Sequence, residues 1–126
     1  MSLRHPIARA RGLGSAKNGT QHWWLQRLTA IALALLTPWF IWVAVGMVGA
    51  DAFTVRATLA QPVNAVLMLA FVFSLFWHAR LGLQVVIEDY VHTHWLEMTL
   101  QVIVLFACAL AALASAIAIG RIVFTG

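Results

Sequence analysis

From Leu28 to Gly49 the chain carries no charged side chain, and two further apolar stretches begin near Val63 and Met98. A helix rising about 1.5 Å per residue needs about 20 apolar residues to cross a hydrocarbon core about 30 Å thick. Lipid offers no hydrogen bonds to the backbone, so each run has to satisfy its own N–H and C=O groups as a helix. The sequence therefore predicts an all-α membrane protein with three transmembrane helices, over about 28–49, 63–87 and 98–119.

Composition agrees, since 63% of the 126 residues are hydrophobic and 10% charged, against roughly half and a quarter in soluble domains. A chain this short holds one small domain, here a basic tail over residues 1–20 and a three-helix anchor over 21–126. The net charge of +4 does not indicate nucleic acid, because four of the eight basic residues (Arg4, Arg9, Arg11, Lys17) sit in the tail without interleaved stacking aromatics. Cys108 has no second cysteine to pair with, which excludes an intrachain disulfide or a thiolate cluster.

The tail mixes Arg, Gly, Ser and a proline without apolar period, which fits a segment lying on the membrane surface or against a partner. The first apolar run starts late, at Leu28, and is too long for a signal-peptide core, so it is expected to be a retained span; a short mitochondrial presequence is the alternative. His22, Trp23, Trp24, Gln26 and Arg27 form an interfacial foot before it, with indoles at headgroup level. Pro38 predicts a kink near Ala34 to Pro38, with Thr37 able to satisfy a freed carbonyl. Asp51 to Gln61 is a short connection, and Pro62 suits the first turn of the second span. In the third span Ala107, Ala111 and Ser115, and Ala112, Ala116 and Gly120, recur four apart, a pattern that favours close helix packing.

Five of the eight basic residues lie in the tail and foot, with Arg56 in the first loop and Arg121 near the C-terminus. This bias predicts the N-terminus inside and the C-terminus outside. His22, Arg27, Asp89 and Tyr90 then share the inner edge.

The second span continues past the hydrocarbon, so Glu88, Asp89 and Tyr90 project into the interface, while Arg80 extends toward headgroups or an acidic partner. At about 100° per residue, Asp89 falls about 20° from His78 on the helix, and Gly82 and Val85 share that stripe. His78 is the only histidine inside a span, where burying an ionisable group is costly enough to suggest function. The plainer reading is a neutral imidazole bonded to a neighbouring helix. A histidine with a bare glycine one turn away suits a flat cofactor, and a phenol and a carboxylate at the far end can handle protons. Two-histidine haem ligation would need the second ligand from another subunit, because His22, His92 and His94 sit at the edge. Spacing alone favours Arg27 as an interfacial anchor over its functional alternative, pairing with an anionic group at the same edge.

The residues HWWLQR before the first span, and a histidine followed after ten residues by Asp-Tyr in HARLGLQVVIEDYVH, resemble the small hydrophobic membrane-anchor subunit of succinate dehydrogenase, respiratory complex II. The resemblance extends from Ser15 to the end of the chain. It implies a complex with a flavoprotein carrying FAD, an iron–sulfur subunit and a sister anchor, the two anchors sharing one haem b and a ubiquinone site. By the same resemblance His78 is an axial haem-iron ligand, and Tyr90 hydrogen-bonds a quinone carbonyl with Asp89 beside it. Arg27 and His22 match residues near the haem propionates and quinone; Arg80 matches nothing in the family's motifs. The expected setting is the bacterial cytoplasmic membrane, or else the mitochondrial inner membrane. Rival readings are a menaquinone-using fumarate reductase anchor and a non-catalytic small membrane protein such as a holin or assembly factor. A transporter is disfavoured by the lack of an inverted repeat.

Overall fold

The computed structural model describes residues 15 to 125, which form four helices: α1 (Ser15–Gly46), α2 (Ala52–Ala60), α3 (Pro62–Tyr90) and α4 (His94–Thr125). Three of them are long and apolar enough to cross a membrane, over Thr20–Gly46, Pro62–Tyr90 and His94–Thr125. Helix α1 starts inside the segment expected to be tail; residues 1–14 of that tail lie outside the described residues. Helix continues through Pro38, and among the described residues no side-chain hydrogen bond from Thr37 accompanies it.

The connection after α1 turns at Gly49, whose φ of +79° is left-handed backbone that glycine adopts without a Cβ penalty. It then forms a helix of its own. Asp51 caps α2 by accepting the Thr54 N–H at 2.9 Å. Hydrogen bonding from the Thr54 hydroxyl, and next from its N–H, holds the Asp51 carboxyl below its ordinary pKa. Pro62 follows two residues after α2 ends and opens α3, where its missing N–H costs nothing.

Helix α3 is the centre of the molecule. It packs against α1 on one side and α4 on the other, α2 rests on α3 and α4, and among the described residues α1 and α4 do not meet. Thr29 meets His78 while Phe40 stacks on Phe71 at 4.6 Å between ring centroids, so α1 and α3 run antiparallel. On the other side Gln101 Nε2 donates to the Gln84 carbonyl at 3.3 Å and ties α4 to α3.

Few side chains are enclosed. Val43, Ala65, Phe71, Leu81, Ile87 and Ala112 are buried, whereas large residues such as Leu35, Trp42 and Phe106 are exposed. An apolar exterior of this extent is at home only against lipid or other helices. In the small-residue rows of α4, Ala112 is buried and Ala116 and Gly120 half-buried, while Ala107 is open.

Candidate functional site

Helix α3 is unbroken from Pro62 to Tyr90, which keeps His78, Gly82, Val85 and Asp89 on one stripe, with Asp89 about 16 Å along the axis from His78. His78 is half-buried at the seam with α1. Its Nδ1 lies 3.1 Å from Thr29 Oγ1. That oxygen is also 2.8 Å from the Leu25 carbonyl and 3.0 Å from the Gln26 carbonyl. The plainer reading of His78, an imidazole bonded to a neighbouring helix, therefore accounts for one ring nitrogen. The other, Nε2, has no hydrogen-bond partner among the described residues. One turn on, a Cβ added at Gly82 would meet nothing within 4 Å, so the stripe opens beside the histidine.

Because α1 and α3 are antiparallel, residues before Thr29 lie toward the end of α3 that carries Asp89 and Tyr90. The foot of α1 is thus on the same side as those residues. Arg27 is exposed, with its guanidinium 5.2 Å from the Trp23 ring centroid, and Trp23 meets Trp24 edge-on. This is anchor geometry, and it leaves Arg27 without an ion pair among the described residues. His22 is half-buried, and its Nε2 is enclosed without a hydrogen-bond partner among the described residues. An enclosed polar atom of this kind costs free energy until something meets it.

Asp89 and Tyr90 are the last two residues of α3; Asp89 is exposed and Tyr90 is 79% exposed. The helix C-terminus is its negative end, where a carboxylate is disfavoured by about 0.3–1 kcal/mol and a lysine or arginine preferred. The last turn of α3 has no basic residue, and carries Glu88 and Asp89 instead. Helix stability alone does not explain that choice.

Two features escaped sequence reasoning. Thr29 is one, being 49 positions from His78 in sequence; a hydroxyl near the start of an apolar span was the available sign. The other is the setting of Arg80. It stands where an apolar groove of about 380 Å³, lined by Phe73, Trp77 and Cys108 among others, meets a polar one holding Gln84, Glu88, Glu97 and Gln101. Arg80, Gln84 and Glu88 recur four apart, and Gln84 Nε2 donates to Glu88 Oε1 at 3.1 Å. Arg80 therefore faces polar groups of its own chain as well as the surroundings.

The fold and the site together define a membrane protein of three spanning-length helices with an imidazole at a helix seam and a carboxylate–phenol pair at one edge. Comparison with known proteins narrows this. The profile of the succinate dehydrogenase/fumarate reductase transmembrane subunits matches residues 1–115. A succinate dehydrogenase hydrophobic membrane anchor subunit from Rickettsia conorii is 40% identical over 114 residues, covering 90% of each chain. The corresponding subunit from Rickettsia bellii is 40% identical over 98 residues, 78% of each chain. That from Paracoccus denitrificans is 36% identical over 85 residues, 68% of this chain and 66% of its own. The chain therefore belongs to the family of succinate dehydrogenase/fumarate reductase transmembrane subunits, among the succinate dehydrogenase membrane anchors. Membership implies association with the other subunits of that complex and with the membrane.

Proposed function

We propose that this anchor supplies one axial ligand, His78, to a b-type haem shared with a sister anchor, and that Tyr90 and Asp89 form its part of a ubiquinone-reduction site. The observation that carries the reading is the asymmetry of His78: Nδ1 meets Thr29, Nε2 has no hydrogen-bond partner among the described residues, and Gly82 leaves the adjacent turn bare. These features suit axial ligation by one nitrogen. The other described histidines are His22 in the foot of α1, and His92 and His94 at the turn after α3, so a second axial ligand would come from a partner. When bound, the haem supplies a one-electron store near the quinone.

The remaining roles belong to this chain's own groups. Tyr90 donates its hydroxyl to a quinone carbonyl and stabilises negative charge as it develops there. Asp89 holds and passes protons at the same edge. Arg27, stacked on Trp23 with N–H groups to spare, and His22 meet anionic or carbonyl groups at the foot. Succinate is oxidised on the flavoprotein, and electrons reach the quinone through the iron–sulfur subunit.

Purification through this chain in mild detergent tests the assembly. The flavoprotein, iron–sulfur subunit and sister anchor should accompany it with one low-spin haem, and recovery of the chain without redox partners would reject the assignment. Orientation is tested separately. The arginine bias places the N-terminus in the cytoplasm, so reporter fusions at residues 55 and 126 should both read as outside. A cytoplasmic signal at either position contradicts this topology.

A further inference from the structure

We infer that Thr29 is a positioning residue for His78: its hydroxyl accepts the Nδ1–H and so fixes the tautomer that presents the Nε2 lone pair. The inference rests on the reading of His78 as an axial ligand. A threonine hydroxyl has one proton to give and two lone pairs to receive with. The Leu25 and Gln26 carbonyls, 2.8 and 3.0 Å from Oγ1, can only accept, and they draw that proton. The third neighbour, His78 Nδ1 at 3.1 Å, then faces a lone pair and acts as the donor. A neutral imidazole has a single N–H, so a proton on Nδ1 leaves Nε2 bare.

The arrangement is stable at this depth. Thr29 and His78 are both half-buried between apolar helices, and in a bilayer an N–H that loses its protein partner finds no water to replace it. The carbonyls of α1 thus orient the hydroxyl, and the hydroxyl orients the ring. Donation from Nδ1–H also increases electron density at Nε2, which strengthens it as a ligand and favours the more oxidised metal.

Two substitutions in the intact, purified complex separate the hydroxyl from the shape of the side chain. Thr29→Val keeps the branched shape and removes the acceptor; Thr29→Ser keeps the acceptor and removes a methyl group. With Thr29→Val the haem midpoint potential should rise, and haem transfer to excess apomyoglobin should become about 10- to 100-fold more favourable, the usual effect of losing a partner behind a ligating histidine. Thr29→Ser should track the wild type in both. An unchanged potential and unchanged transfer in Thr29→Val overturn the inference, and so does a Thr29→Ser variant that behaves like Thr29→Val. If Thr29→Val does not assemble, Thr29→Ala, which cannot overpack the seam, gives the same comparison. A low-spin spectrum that survives His78→Leu overturns the ligand reading itself, and the inference with it.

Discussion

Tyr90→Phe should lower succinate:quinone reductase activity by roughly ten- to a hundred-fold while leaving succinate oxidation by a soluble dye nearly intact. The substitution keeps the ring and deletes one hydroxyl. A hydrogen bond lost from a site where charge develops costs about 1–3 kcal/mol, and each 1.4 kcal/mol is a factor of about ten in rate. The two assays separate because the dye takes electrons upstream of the membrane, where this chain has no part. Tyr90 lies 79% exposed at the end of α3, so removing its hydroxyl disturbs no internal packing of this chain. A parallel fall in both activities would make Tyr90 a contact that holds the complex together, and no fall in either would return Asp89 and Tyr90 to being a helix end.

The carboxylates beside Tyr90 carry the same argument at the level of the helix. Glu88 and Asp89 occupy the turn of α3 where the backbone dipole disfavours negative charge. Glu88 is met within the chain by Gln84 at 3.1 Å, whereas Asp89 has no such partner among the described residues and is the carboxylate left for the proposed quinone site.

Sequence alone was enough for the three spans, because charge-poor runs of such length have no other stable form in lipid. It was also enough for the stripe joining His78, Gly82 and Asp89, since helical register is arithmetic once α3 is continuous. Pro62 at the first position of α3 followed from its missing donor. Helix α2 is not legible from hydropathy, although Asp51 three residues before Thr54 is a capping signal; a nine-residue helix between two long spans looks like a loop when hydropathy is the guide. The early start of α1 was hidden by the glycines and arginines around it. Contacts between helices were out of reach for a different reason. Nothing in local periodicity says that Thr29 is level with His78, that Phe40 stacks on Phe71, or that α1 and α4 stay apart. Such pairings depend on which faces the helices turn to one another, and in an apolar helix almost every face is eligible.

The proposed haem ligation stands or falls on His78. Its imidazole meets Thr29 at Nδ1, has no hydrogen-bond partner at Nε2 among the described residues, and adjoins the open turn at Gly82. A six-coordinate low-spin b-type haem needs both axial nitrogens, so removing this one eliminates that state instead of weakening it. His78→Leu substitutes a side chain that packs in the seam but offers no ligand and no partner for Thr29. The decisive measurement is the reduced-minus-oxidised optical spectrum of the purified complex carrying His78→Leu, with incorporation of the variant chain verified in the same sample. The low-spin haem bands should be lost or converted to those of a high-spin haem; bands identical to wild type, with the variant fully incorporated, would contradict ligation by His78.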